Sequence, residues 1–247
     1  SKTQDEVYFS IQSPTEETAV IAVMKMKKNK WQEKGWPQLV FAIGKATNDE
    51  MLLSEELCNK WISLFGDSNA VGKGAALTCL AFIFASEYRF AELEKVLAQA
   101  QAVNKFAKQD FAFGWLYVAK LQQALASGKM SWARQLITQA RTDSGAQIME
   151  TAFTSKMLDA LELESNYELC RLDTSEEKFS EILEFIANHG VTDVFFSVCR
   201  VVSAWRLGRN DLNGSIEILE WAKAHAAEKN LPRLEVMSQI EIYQRLL

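Results

Sequence analysis

The sequence predicts an all-α fold of stacked antiparallel helix pairs. Only three of the 247 residues are proline and 11 are glycine, and so few helix breakers indicate long helices rather than closely spaced strands and turns. The composition, 48% hydrophobic and 24% charged, is typical of a well-packed globular protein. An apolar pattern of helical period also recurs along the chain, which is the mark of a repeat architecture.

The recurring pattern is an apolar or small residue followed by apolar residues three, four and seven positions later, which share one face of a helix. Its best copies begin at Leu93, Ala133, Phe179 and Ser215, and an earlier copy begins at Cys58. Successive copies begin 35, 40, 46 and 36 residues apart. This spacing is typical of a helix-turn-helix unit whose loops vary in length.

A more apolar helix precedes each amphipathic one, and these helices are predicted over 74–87, 110–127, 151–168 and 192–208. Turn residues such as Gly128 and Asn210 separate the two helices of a pair. A last helix is predicted from Pro232, since proline suits the first helical turn. We expect the apolar helices to form an inner layer, the amphipathic ones an outer layer, and the stack to be a right-handed tetratricopeptide-like superhelix with a concave groove.

The domain prediction is an irregular or flexible entry segment, 1–14, followed by one helical-repeat domain, 15–247, with its best-registered repeats in 74–247. No run of 18 apolar residues predicts a membrane span, and the N-terminus lacks the apolar core of a signal peptide. The four cysteines form no CxxC pair and lie in apolar helical patterns. This usage predicts free thiols and a cytoplasmic location.

Charge does not favour nucleic acid as a direct partner, because the formal net charge is −5 and the sequence pI about 5.3. The one dense basic run, Lys25 to Lys30, ends an apolar helix pattern, where cations suit the helix dipole. We interpret it as a solvated helix end, with a nucleic-acid or phosphate contact as the alternative. No direct nucleic-acid contact and no membrane contact are therefore expected.

Catalytic, metal-binding and cofactor-binding motifs were sought and none is predicted. The segment 66–74 is similar to a phosphate-binding loop, but it is one residue too long, and Gly74 stands where Ser or Thr would hold Mg²⁺. His189 and His225 belong to no metal or triad motif. Both are expected near the C-terminal ends of outer helices, where a partly charged imidazole suits the helix dipole. Paired carboxylates such as Glu162 and Glu164 are interpreted as solvated surface groups.

The inner helices supply the candidate binding residues. Repeat register predicts groove-facing positions at Trp115, Gln122, Ser197, Arg200, Thr78 and Phe82. An aromatic surface with a few polar donors suits a small molecule or an extended peptide, with core packing as the alternative for Trp115. Arg200, inside an apolar helix, needs either an internal carboxylate or an anionic group of a ligand. We expect its replacement by alanine to weaken binding without changing stability.

The turn and the following small residue, Gly128 and Ala133, resemble the tetratricopeptide repeat, although the units exceed 34 residues and lack its terminal proline. The segments 207–212, 218–222 and 229–234 resemble the helical repeats of LuxR-type transcriptional activators related to the maltose regulator MalT. Asn230 stands where that family has glycine.

This resemblance implies a sensor region, between a nucleotide-binding module and a DNA-binding helix-turn-helix, that receives a small-molecule inducer or a partner protein. Self-association is a further possibility. The alternative is a stand-alone tetratricopeptide-like scaffold that binds a peptide of a partner protein.

Overall fold

The structure is a computed structural model that describes residues 35–107, 110–142, 152–171, 175–189 and 191–247. Several expectations lie outside these ranges. They are the entry segment 1–14, the basic run at 25–30 and part of the turn at 173–175.

The described residues form helices and no strands, which confirms the all-α prediction. Eleven helices are described, namely α1 (Trp36–Thr47), α2 (Met51–Phe65), α3 (Ala70–Ser86), α4 (Phe90–Ala107), α5 (Asp110–Ala126), α6 (Met130–Thr142), α7 (Ala152–Glu168), α8 (Glu176–His189), α9 (Thr192–Leu207), α10 (Leu212–Lys229) and α11 (Pro232–Leu246). Within the described ranges, no helix combines the length and apolar character that crossing a bilayer requires.

The chain divides into two compact units, residues 1–123 and 124–247. In the first unit, α2 packs between α1 and α3, α1 also contacts α3, and α4 packs on α3. Short turns join these helices, so packed neighbours run antiparallel. The single repeat domain and the right-handed superhelix stay predictions.

The second unit repeats this packing order. Helix α7 contacts α6, α8 and α9, and α9 contacts α8, α10 and α11. Each helix of the inner set (α7, α9 and α11) thus contacts its neighbours along the chain and also the next member of that set. This is the arrangement that stacked helix pairs produce.

Burial distinguishes the two kinds of helix as the sequence predicts. Every residue of α3 from Ala76 to Ser86 is buried, because other helices cover several of its sides. Helix α6 buries only the stripe of Ala133, Leu136, Ile137 and Ala140 and turns its other residues outward. The repeated stripe is therefore the packing face of the amphipathic helices.

Trp61 packs at the point where α1, α2 and α3 meet. Trp61 is 1% exposed, packs with Leu39 and Ala76, and donates its indole N–H to the carbonyl of Gly35 at 2.5 Å. Gly35 adopts a φ of 75°, a conformation that glycine tolerates best. The ring also lies directly against Gly72, where a Cβ would stand 2.2 Å from the indole Cη2 atom.

We expect Gly72→Ala to lower the free energy of unfolding by about 1–3 kcal/mol, because the buried indole has no space to move away from the new methyl group. Gly44→Ala is the matched control, since no atom lies within 4 Å of a Cβ at Gly44. That change should stabilise the chain slightly by restricting the unfolded backbone. Urea denaturation of both variants measures the difference, and equal effects would contradict the packing described for Trp61.

Candidate functional site

The most developed polar cluster of the second unit joins the inner helices α7 and α9. Arg200 on α9 donates from Nη2 to Oε1 of Glu164 on α7 at 2.8 Å. Ser197, one turn before Arg200, donates its hydroxyl to Oε2 of the same carboxylate. Both oxygens of Glu164 are therefore bound by α9, and the three residues form what we call the Glu164 cluster.

Exposure differs sharply between the two charged members of the Glu164 cluster. The Glu164 side chain is 14% exposed, whereas the Arg200 side chain is 40% exposed. Since only Nη2 of Arg200 bonds to Glu164, the rest of the guanidinium edge faces outward from the pair. The cluster thus holds a charged donor in a fixed position at the surface of the inner helices.

Two partners were considered for Arg200, an internal carboxylate and an anionic group of a ligand. The structure shows the internal carboxylate, that of Glu164. That carboxylate corrects the interpretation of Glu162 and Glu164 as a solvated pair. Glu164 binds α9, and Glu162 pairs with Arg141 of α6. No local signal distinguishes Glu164, because Glu162, Ser165 and Asn166 surround it in the sequence.

The remaining candidates belong to the first unit. Thr78 and Phe82 are buried on α3, and the Thr78 hydroxyl donates to the Gly74 carbonyl of its own helix at 2.8 Å. Phe82 meets Trp115 of α5 edge to face, with ring centroids 6.4 Å apart. Trp115 is half-buried. One part of its side chain packs against Phe82, and another part is exposed.

Gln122 lies two turns after Trp115 on α5 and is partly exposed. Its side-chain oxygen is buried and has no hydrogen-bond partner within the described part of the chain. A buried acceptor of this kind is costly unless a donor reaches it. The aromatic pair and this acceptor are the features of the first unit that fit a binding surface.

Residues 66–69 of the segment similar to a phosphate loop connect two helices, as predicted, whereas residues 70–74 already form the start of α3. Helix α2 ends at Phe65, and α3 begins at Ala70. The side chain of Asn69 caps α3 by accepting the Gly72 N–H at 2.9 Å. The glycine at 72 is explained by the packing of Trp61 rather than by a bound phosphate.

His225 differs from the expectation of a partly charged ring at a helix end. It packs on Phe195 with ring centroids 4.8 Å apart, and it lies beside Trp221. Burial first, and the charge of Lys229 second, lower the pKa of the His225 imidazole. The side chain of His189 lies outside the described residues.

All four thiols are free, as the sequence predicts, but their settings differ. Cys58, Cys79 and Cys199 are buried, whereas Cys170 is exposed just beyond the end of α7 with a φ of 52°. Cys170 therefore does not belong to an apolar helix face, which corrects one part of the cysteine interpretation. Among the described residues, no three His, Cys, Asp or Glu side chains are grouped so that they could hold a metal ion.

Comparison with known proteins relates this chain to regulators of transcription, although no family model and no solved structure matches it. Over 243 residues, 98% of the chain, it is 93% identical to the HTH-type transcriptional regulator AlkS of Pseudomonas putida. It is 82% identical over the same length to the protein of that name from Ectopseudomonas oleovorans. Over 210 residues, 85% of the chain, it is 37% identical to AlkS of Alcanivorax borkumensis.

These relatives are much longer than the chain, which spans 28% of the first two and 24% of the third. By name they are regulators of transcription, in agreement with the prediction of a non-enzymatic protein. The chain is similar, over nearly its whole length, to one segment of HTH-type transcriptional regulators.

Proposed function

We propose that this chain is the effector- or partner-sensing segment of a LuxR-type transcriptional activator related to the maltose regulator, built of tetratricopeptide-like helix pairs. The observation that carries the proposal is its similarity, over nearly its whole length, to about a quarter of each HTH-type regulator. A segment of this size can bind a signal while the DNA is recognised elsewhere in the polypeptide.

The charge and the packing support this role. A net charge of −5 does not favour contact with DNA phosphates. The second unit carries a partly exposed arginine that Glu164 holds in position. The first unit separately carries a half-buried Trp115 with the unpaired acceptor of Gln122 on the same helix. Fixed polar groups beside aromatic surface are what a small inducer or an extended peptide requires for specific binding.

The contact between Arg200 and Glu164 changes the expected effect of Arg200→Ala on stability. Because Glu164 is mostly buried, the variant leaves its carboxylate with only the Ser197 hydroxyl as a described partner, and we expect a loss of about 1 kcal/mol of stability. The double variant Glu164→Gln with Arg200→Ala removes the unpaired charge and should restore part of this loss. Thermal unfolding of the two variants measures both effects, and a double variant less stable than the single one would contradict the pairing.

A thermal-shift screen tests the sensing role. Small metabolites and a peptide library are added to the native chain, to the double variant and to Arg134→Ala, a control on the exposed face of α6. Binding to the folded state alone raises the melting temperature. We expect a compound that stabilises the native chain and the control but not the double variant. A library that stabilises none of the three, or all of them equally, would count against a sensing site at the Glu164 cluster.

A further inference from the structure

Helix α11 exposes an apolar stripe. Val236, Tyr243 and Leu246 are each 59–60% exposed, and they follow the spacing of one helix face. We call these three residues the α11 stripe. A cluster of large exposed apolar side chains on one face is a common mark of an interaction surface.

A comparison with α9 shows which of the α11 faces lack a neighbour. Helix α9 begins at Thr192 and α11 at Pro232, which sets a register of 40 residues between them. In this register Val194 matches Leu234, and Val202 matches Ile242. All four of these residues are buried. The two helices therefore use the same face to pack on the helices that precede them.

The two helices differ in burial along the α11 stripe. Phe196 is 8% exposed but its counterpart Val236 is 59% exposed, and Ser203 is fully buried where Tyr243 is 60% exposed. On α9 the neighbour is α10, since Ser203 and Ser215 hydroxyls lie 2.8 Å apart and Arg206 donates to the Gly214 carbonyl at 3.1 Å. The exposed stripe of α11 is thus the equivalent of the α9 face that α10 covers.

Other positions of α11 bind α9 directly. Arg233 bonds to both oxygens of Asp193 on α9, and Arg245 donates to Ser203 of α9. Ile240 is 51% exposed, and the side chain of its α9 counterpart Arg200 is 40% exposed, so this position is not buried in either helix. Among the exposed large apolar residues of α11, Val236 and Tyr243 are the ones whose α9 counterparts are buried.

We propose that an amphipathic helix of the longer polypeptide covers the α11 stripe, packed on α11 as α10 packs on α9. The length of the relatives supports this occupant, because the chain spans only 28% of the first two and most of each lies outside it. The covering helix has an apolar face and carries small residues opposite Tyr243, because this ring stands where α9 has the small Ser203. The α11 stripe is then an interface between two helices of the same regulator.

Cysteine labelling tests the proposal in the chain and in a full-length regulator that contains it. Tyr243→Cys is made in a Cys170→Ser background, where the other three thiols are buried. Glu217→Cys, on an exposed position of α10, is the matched control. We expect a maleimide to modify position 243 at least tenfold more slowly in the full-length regulator than in the chain, and position 217 equally in both.

Two results would overturn the proposal. Equal labelling of position 243 in both proteins would show that the face stays free. Protection that is already present in the isolated chain and grows with its concentration would show that a second copy covers it. Amide hydrogen exchange of 232–246 in the unsubstituted proteins makes the same comparison without a mutation, and exchange no slower in the full-length regulator would also refute the covering helix.

Discussion

Replacing Trp61 by alanine should lower the free energy of unfolding by about 3–5 kcal/mol, the largest effect of any single change that we expect in the first unit. Trp61 is almost completely buried, and its ring lies 5.5 Å from that of Phe65. The variant removes these contacts, opens a cavity between α1, α2 and α3, and deprives the Gly35 carbonyl of its indole donor. Urea denaturation measures the loss.

Leu64→Ala on the same helix is the matched control for Trp61, because Leu64 is 64% exposed and its truncation creates no cavity. The close approach of Trp61 to Gly72 adds a second check through a double-mutant cycle. Gly72→Ala should cost much less in the Trp61→Ala background, since the cavity accepts the methyl group. Additive effects of the two changes, or a loss for Leu64→Ala as large as that for Trp61→Ala, would contradict the packing described for Trp61.

The second large effect is expected for Leu136→Ala, which should cost about 2–5 kcal/mol. Leu136 lies in the buried stripe of α6, the amphipathic helix that packs against α7. Loss of its side chain leaves a gap on the only face by which α6 is buried. Thermal or urea unfolding of the variant measures the change.

Gln135→Ala is the control for Leu136, because Gln135 is the preceding residue and is exposed. Its truncation should change stability by less than about 0.5 kcal/mol, as surface substitutions usually do. A Leu136→Ala variant as stable as Gln135→Ala would show that the recurring stripe does not mark the packing face. The repeat assignment would then lose its main physical support.

Helix bounds could be predicted closely because periodicity and turn residues report on them directly. The inner helix predicted over 192–208 is observed at Thr192–Leu207, and the last helix begins at Pro232 as expected. Both features are local properties of the sequence. Each requires only that a run of residues has one apolar face and a turn at its end.

Contacts between helices could not be predicted in the same way. Glu164 and Arg200 lie 36 positions apart, so their pairing depends on the rotation of two helices that no local pattern specifies. The same is true of Gly72, whose sequence setting is similar to a phosphate loop although the Trp61 ring explains it. Thr78 and Phe82 are likewise buried because other helices pack around α3. The repeat register alone predicted that they face a groove.

A sensing role for the Glu164 cluster is tested most directly by transcription from the target promoter of a full-length regulator that carries this segment. The ratio of reporter expression between inducing and non-inducing growth conditions is measured for the native protein, for Glu164→Gln with Arg200→Ala, and for the Arg134→Ala control. We expect at least a tenfold lower ratio for the double variant, with unchanged protein abundance, and a native ratio for the control. An unchanged ratio for the double variant would contradict a sensing role for the Glu164 cluster.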